Sequence, residues 1–223
     1  MHTFLIRHGE TTGDLENRYG GAYDDHLTEK GKAQAEALAE KLRDKDIEII
    51  FSSPSFRARE TTEILAKKIG CPVMYKEHLK ERDQYGILTG MNREEAKKLH
   101  SDLVLLVEDR LRAIAGTESY ENFRMRIQLA VREITMDSRH DCAAVVFHGG
   151  PMRVLFREIL KKGEIKGDVS DCGFVELEKT SEGLKSVLWK GSLLLHDRMR
   201  KKEVMPTREE KLIAIARPYS RTP

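Results

Sequence analysis

Two histidines in this chain stand where each could act on a bound ligand. The first apolar run ends in Arg7 and His8, a second apolar run, residues 143–147, ends in His148, and glycine follows both histidines. In an open α/β sheet, ligands bind at the carboxyl ends of strands, so these side chains are expected at one site. A guanidinium binds phosphate oxygens, and a neutral imidazole can attack phosphorus. The pattern therefore predicts phosphoryl-transfer chemistry.

Arg57 is a second cation placed to bind phosphate. The segment before it is typical of a helix start, with Ser53 as the expected cap and Pro54 at the first helical position. Arg57 then falls in the first helical turn, where backbone N–H groups favour an anion. Because a guanidinium stays protonated and forks onto oxygen atoms, we expect Arg7 and Arg57 to hold the same phosphate.

The elements that carry these residues follow an α/β pattern. Apolar runs near residues 3–7, 47–51 and 71–75 alternate with helices predicted over about 28–44 and 53–69. This alternation predicts a doubly wound, mostly parallel sheet between two helical layers, a three-layer α/β/α fold.

The remaining segments divide the chain further. Residues 79–116 interrupt the alternation with a glycine-containing turn and one or two helices, and we expect a small helical cap there that covers the site. A helix over about 118–137 and an edge hairpin over about 175–188 complete the domain. We therefore predict one domain over 1–191 and a basic-leaning extension of unknown role over 192–223.

Composition excludes several classes of protein. The 223 residues are 39% hydrophobic and 34% charged with a net charge of +2, which is typical of a globular protein and too weakly basic to indicate nucleic-acid binding. No apolar run of about 18 residues predicts a membrane span, and the first strand starts too early to leave room for a signal peptide. Three widely spaced cysteines predict neither disulfides nor a zinc site, so we expect a cytoplasmic protein.

Residues 7–11 (RHGET) resemble the opening motif of the histidine phosphatase superfamily, the phosphoglycerate mutase-like proteins. Four further segments follow in the family's order: residues 27–31 (LTEKG), 52–58 (SSPSFRA), 79–82 (LKER) and 147–150 (FHGG). The resemblance covers about residues 1–190. It implies the fold predicted above and phosphoryl transfer without a cofactor.

The resemblance also implies a role for each residue that carries chemistry. His8 would be the residue that is phosphorylated, while Arg7, Arg57 and His148 would bind the phosphate and stabilise the transition state. Glu81 would protonate the leaving oxygen and then activate water.

Three further expectations concern substrate contacts and metal ions. Glu81 is preferred to Glu77 because residues 79–86 match the family spacing. Asn17 is expected to make a polar substrate contact, and Gly149 allows the backbone to approach the ligand closely. A metal site built from the two histidines and Glu81 is disfavoured, because the arginines beside it would repel a cation.

One position departs from the family pattern. The family usually has asparagine six residues after the nucleophile, and this chain has Asp14. A carboxylate would repel phosphate, whereas an amide could donate a hydrogen bond to it. Either Asp14 turns away, for example toward Arg18, or phosphate affinity falls, or the site prefers another geometry.

Three functions fit the motifs. Residues 81–92 and 16–19 resemble the phosphoglycerate mutases, but the link between Gly90 and Gly116 is shorter than the mutase insertion that holds the bisphosphate. The sequence therefore favours a phosphomonoester hydrolase acting through phosphohistidine on His8, with mutase-type transfer as the alternative. A non-catalytic protein that binds a phosphorylated ligand stays open because of Asp14 and the C-terminal extension.

The expected partner is a small phosphorylated substrate. A membrane is not expected as a partner. Nucleic acid is not expected either, because a group of four basic residues such as that at 198–202 is usually only solvated. A homodimer is compatible with the sequence.

Overall fold

The computed structural model describes residues 1–137, 139–160, 169–181 and 183–190, and these residues contain one six-stranded sheet. The strands are β1 (His2–Arg7), β2 (Ile49–Ser52), β3 (Val73–Tyr75), β4 (Cys142–Phe147), β5 (Phe174–Thr180) and β6 (Gly183–Lys190). Their order is β3-β2-β4-β1-β5-β6. The first four strands are parallel, and β5 and β6 form an antiparallel hairpin at the edge.

Helices cover both faces of this sheet. The α-helices of the described residues are α1 (Thr12–Leu15), α2 (Glu29–Leu42), α3 (Phe56–Ile69), α4 (Arg93–Leu99), α5 (Ser101–Glu108), α6 (Tyr120–Met136) and α7 (Gly149–Val154). A π-helical turn, Leu155–Ile159, continues α7. Thr28 caps α2 as expected, with its side-chain oxygen accepting from the Gly31 N–H at 2.9 Å.

Side chains that alternate along the central strands fill two separate cores. Phe4 and Ile6 of β1 pack with α2 and α3, whereas Leu5 packs on the opposite face with α6 and α7. Burial on both faces is what a central parallel strand requires, and it explains the continuous apolar run before Arg7. The predicted three-layer α/β/α fold with a mostly parallel sheet is confirmed.

The pairing of β1 with β4 places both histidines at the same edge of the sheet. Arg7 lies opposite Phe147 in the parallel register, so His8 and His148 are the next residues of adjacent strands. The His8 backbone N–H donates to the Phe147 carbonyl oxygen at 3.1 Å. The two histidines therefore leave the sheet side by side.

The start of α3 differs from the prediction. The helix begins at Phe56 after Ser55, so Ser53 is not its cap and Pro54 is not in its first turn. The cap comes from a distant loop, where the Asp24 carboxylate accepts from the Phe56 N–H at 2.6 Å. A carboxylate is favoured at a helix N-terminus because it satisfies an unpaired N–H and opposes the helix dipole.

Residues 79–116 pack around a small apolar cluster of their own. Leu88, Ala96 and Val107 are buried there together with Tyr19 from the loop after α1. This cluster is separate from the two cores that flank the sheet, and it holds α4 and α5 beside the loop that follows β1. The expectation that this segment acts as a cap stays a prediction.

Within the described residues, no helix has the length and apolar character needed to cross a membrane. Their three cysteines are free thiols. The predicted extension over 192–223 lies outside the described residues.

Candidate active site

The His8 ring is buried and held through one nitrogen. Its Nδ1 lies 2.8 Å from the carbonyl oxygen of Gly9. A carbonyl oxygen can only accept, so Nδ1 carries the proton and the lone pair is on Nε2. Burial, followed by the charges of Arg57 and Arg7, lowers the pKa of His8 well below its usual value. The imidazole is therefore neutral at pH 7, in the form that a nucleophile needs.

The His148 ring is fully buried and carries its proton on the other ring nitrogen. The Arg57 Nε–H donates to its Nδ1 at 3.2 Å, and its Nε2 lies 2.8 Å from the Ser53 hydroxyl oxygen. Because a guanidinium can only donate, Nδ1 is the unprotonated nitrogen and Nε2–H is the donor. Burial and then the Arg57 charge lower the pKa of His148 well below its usual value. The two rings meet edge to face, with centroids 5.2 Å apart.

Arg7 lies at the end of β1 and is held by residues that precede β5. Its guanidinium donates to the Val169 carbonyl oxygen, and its Nη2 lies 3.3 Å from a carboxylate oxygen of Asp171. A Cβ added at Gly149 would lie 3.9 Å from the Arg7 Nε, an ordinary contact distance, so this position is close to the guanidinium without requiring glycine. Arg7 thus reaches the start of the helix that follows His148.

Arg57 is buried between His148 and the loop before α2. Its Nη1 donates to the Asp25 carboxylate at 2.9 Å, and its Nη2 donates to the Gly21 carbonyl oxygen at 3.0 Å. The other oxygen of Asp25 accepts from the Gly13 N–H at 3.2 Å. Asp25 is 6% exposed, so it places a buried negative charge directly on Arg57. Sequence reasoning missed Asp25, because nothing in its loop marks a buried carboxylate.

The Glu81 carboxylate is fixed by two backbone donors. It accepts from the Gly150 N–H and from the Arg82 N–H, each at 2.8 Å. A Cβ at Gly150 would lie 2.1 Å from Glu81 Oε1, so only glycine permits this approach. The Glu81 carboxylate therefore lies at the start of α7, the helix that begins at Gly149 directly after His148.

The polar residues of the loop after β1 do not all enter this group. Asp14 accepts from both the N–H and the hydroxyl of Thr11, at 3.0 and 2.9 Å, in a capping box that starts α1. It has turned toward Thr11 rather than Arg18, although it still lines the cleft. Asn17 is exposed with φ of +53° and is not among the residues lining the cleft. The structure does not bring Asn17 to the candidate site.

The predicted residues otherwise meet in one cleft of about 400 Å³. His8, Arg7, Arg57, Glu81 and Gly149 line it, and His148 lies beneath in contact with Arg57. Among the described lining residues, eight are arginines and three are carboxylates: Arg7, Arg18, Arg57, Arg82, Arg93, Arg110, Arg153 and Arg157 against Asp14, Asp25 and Glu81. The cleft is therefore strongly cationic and suits an anionic ligand.

Among residues 1–137, 139–160, 169–181 and 183–190, no cluster of three or more His, Cys, Asp or Glu side chains could hold a metal ion.

Comparison with other sequences places the chain among known enzymes. It matches the histidine phosphatase superfamily (branch 1) over residues 3–191. A 2,3-bisphosphoglycerate-dependent phosphoglycerate mutase from Nitrobacter winogradskyi is 35% identical over 160 residues, covering 68% of this chain and 77% of that protein. A metal-independent phosphoserine phosphatase from Arabidopsis thaliana is 31% identical over 160 residues, covering 70% of this chain and 67% of that protein.

Solved structures show the same fold. A mycobacterial glucosyl-3-phosphoglycerate phosphatase, solved as a complex with VO3, has a TM-score of 0.74 and 25% identity, covering 86% of this chain and 99% of that one. Bacillus stearothermophilus YhfR has a TM-score of 0.76 at 24% identity, covering 84% of this chain and 95% of that chain. With its motifs in order and its two histidines at adjacent strand ends, this chain belongs to the histidine phosphatase superfamily.

Proposed function

We propose that this protein hydrolyses phosphomonoesters through a phosphohistidine on His8. The observation that carries the proposal is the pair of buried neutral histidines, which are protonated on different ring nitrogens. His8 has its lone pair on Nε2, and its pKa is lowered. His148 accepts from Arg57 and donates to Ser53, so it holds the guanidinium beside His8. A neutral nucleophile beside fixed arginines is what transfer of a phosphoryl group requires.

The reaction consists of two displacements at phosphorus. In the first, the Nε2 lone pair of His8 forms an N–P bond while the bond from phosphorus to the leaving oxygen breaks, and protonated Glu81 gives its proton to that oxygen. In the second, the Glu81 carboxylate takes a proton from water as the water oxygen attacks phosphorus. The N–P bond then breaks, which releases inorganic phosphate and returns neutral His8 and protonated Glu81.

The cationic cleft supports a substrate with a charged leaving group. If Arg7 and Arg57 hold the transferred phosphate, as proposed, further arginines line the same cleft, among them Arg93. A small phosphorylated acid would use this surplus of positive charge, whereas a neutral alcohol would not. The mycobacterial relative is named for such a substrate, a glucosyl-3-phosphoglycerate.

Mutase-type transfer is the second candidate. The identity to a bisphosphoglycerate-dependent mutase and the resemblance of residues 81–92 to mutases favour it. The short link from Gly90 to Gly116 argues against it, because a mutase must retain its bisphosphate intermediate and exclude water. A phosphatase needs neither to retain such an intermediate nor to exclude water.

The test is steady-state hydrolysis of p-nitrophenyl phosphate with and without EDTA, beside a 3-phosphoglycerate mutase assay. We expect EDTA-resistant hydrolysis that orthovanadate inhibits, an acid-labile phosphoenzyme, and no mutase activity. Strong mutase activity with feeble hydrolysis would favour the second candidate. Folded protein that is silent in both assays, but binds phosphate, would favour a non-catalytic binding role.

A second set of substrates tests the leaving group. We expect 3-phosphoglycerate and phosphoserine to be hydrolysed with higher kcat/KM than phenyl phosphate, whose leaving group is uncharged. Arg93→Gln should narrow that difference and leave hydrolysis of phenyl phosphate nearly unchanged. Equal kcat/KM for substrates with charged and uncharged leaving groups would contradict the preference for an acidic leaving group.

A further inference from the structure

The turn before β5, residues 169–173, binds the backbone of Arg7 and His8 at the end of β1. The Cys172 N–H donates to the His8 carbonyl oxygen at 3.1 Å, and the Arg7 N–H donates to the Gly173 carbonyl oxygen at 3.0 Å. Cys172 has φ of +53°, a left-handed conformation that residues other than glycine seldom adopt. A Cβ at Gly173 would lie 2.8 Å from the Ser170 carbonyl oxygen. The turn is thus a tightly determined structure.

The same turn also binds the Arg7 side chain. The guanidinium donates to the Val169 carbonyl oxygen and lies 3.3 Å from Asp171 Oδ1. The side chains of Arg7 and Asp171 are only 19% and 23% exposed, so solvent screens this ion pair less than it screens a surface pair. The orientation of Arg7 therefore depends on Asp171, and the Asp171 charge opposes the charge that Arg7 presents to an anion.

We propose that Asp171 is a positioning residue that orients Arg7 and offsets its charge, so that affinity for phosphoryl oxygens is set by whether Asp171 is ionised. This inference rests on the proposed function in one respect, namely that Arg7 binds the phosphate. It adds a residue that contacts neither substrate nor the reacting atoms. It also predicts a direction of pH dependence.

Charges from several elements face Asp171. Burial raises the pKa of this carboxyl above its usual value; Arg7 on β1 lowers it, Asp14 on α1 and Glu10 raise it, and Lys30 on α2 lowers it. Asp171 therefore takes up a proton at a higher pH than an ordinary aspartate does. As pH falls through that range, the protonated carboxyl no longer offsets Arg7, and affinity for a dianion should rise.

Sulfate is the probe, because it is tetrahedral and remains a dianion over the whole range from pH 7.5 to 5.0. Its dissociation constant would be measured by calorimetry for the wild type, Asp171→Asn and Glu10→Gln. Asparagine keeps an oxygen that accepts from Arg7 but removes the charge. Glu10→Gln is the matched control, since Glu10 pairs with Lys30 and Thr28 rather than with Arg7.

We expect Asp171→Asn to bind sulfate about three- to tenfold more tightly than the wild type at pH 7.5, with the difference narrowing as pH falls. Glu10→Gln should change the dissociation constant by less than about twofold. Equal affinity of Asp171→Asn and the wild type at pH 7.5 would overturn the proposal. Wild-type affinity that does not rise as pH falls would overturn it too, and that measurement needs no variant to fold.

Steady-state hydrolysis distinguishes the two roles proposed for Asp171, namely orienting the Arg7 side chain and offsetting its charge. Asp171→Ala removes the carboxylate partner of Arg7, leaves the Val169 carbonyl oxygen, and should lower kcat about tenfold, while Asp171→Asn should restore kcat and lower KM. Equal kcat in the two variants would show that Asp171 does not orient Arg7. If the wild type hydrolyses no phosphomonoester but the sulfate results hold, the proposed function fails and the role of Asp171 stands.

Discussion

The ends of β1 and β4 look alike in the sequence and behave differently in the structure. Each strand is followed directly by a histidine and then a glycine, and the centroids of the two rings lie 5.2 Å apart. Yet His8 is protonated on Nδ1 and His148 on Nε2. The difference comes from one neighbour each, a carbonyl oxygen that only accepts and a guanidinium that only donates. Equivalent positions in a fold thus acquire distinct chemical roles through their hydrogen-bond partners.

The largest effect should follow from removing the lone pair of His8. His8→Ala should lower kcat by about 10³-fold or more, because no other group can form the N–P bond. The measurement is hydrolysis together with trapping of the phosphoenzyme from a ³²P-labelled substrate. Label that persists in His8→Ala would show that the nucleophile is another residue. It would also remove the distinction between the two strand ends.

Replacing His148 should slow transfer without removing the nucleophile. His148→Gln should lower kcat by about 10²-fold, because the imidazole that accepts from the Arg57 Nε–H would be lost and the guanidinium would no longer be held in place. The phosphoenzyme should still form, more slowly, as rapid-quench labelling would show. Ser53→Ala is the control, because Ser53 only supports the ring, and its effect should be smaller. Complete loss of label in His148→Gln would mean that the two histidines do not have separate roles.

The two histidines should contribute alike to stability, which offers a third way to probe the comparison. Burial holds the pKa of both well below 6.5 in the folded protein, whereas the unfolded chain takes up protons near pH 6.5. Below that pH the unfolded state binds more protons. The free energy of unfolding should therefore decrease as pH falls below about 6.5, by up to about 1.4 kcal/mol per pH unit for each histidine.

Urea unfolding between pH 7.5 and 5.0 measures this slope. In His148→Gln one of the two contributions is gone, so the slope should be shallower than in the wild type, whereas above about pH 6.5 neither histidine contributes to it. A wild-type slope in the variant would show that His148 is not held neutral by the fold.

The smallest effect concerns the β1 end alone. Asp14 lines the cleft while its carboxylate binds Thr11, so its charge acts on phosphate only at a distance. Asp14→Asn should lower KM for a phosphomonoester by about two- to threefold. Glu16→Gln, a charge change in the same loop outside the cleft lining, serves as the control. An unchanged or higher KM in Asp14→Asn would refute repulsion between Asp14 and the substrate.

The sequence by itself determined the fold class and the positions of the two histidines. A strand buried on both faces requires a continuous apolar run, and such runs precede His8 and His148 directly. Helix periodicity and Thr28 likewise predicted α2, because these signals depend on neighbours within a few residues. The order of the motifs was sufficient to predict the superfamily.

Only the tertiary structure decided how the polar groups are partnered. Asp24 caps α3 from a loop 32 positions away, and Asp25 neutralises Arg57 across the same interval. Asn17 turned out to lie outside the cleft, although Asp14 in the same loop binds Thr11 through a local capping box. Loop residues carry no periodicity, so their contacts depend on how distant segments pack. For the same physical reason, the protonated nitrogen of His148 is set by Arg57, 91 positions away, whereas that of His8 is set by the adjacent Gly9 carbonyl oxygen.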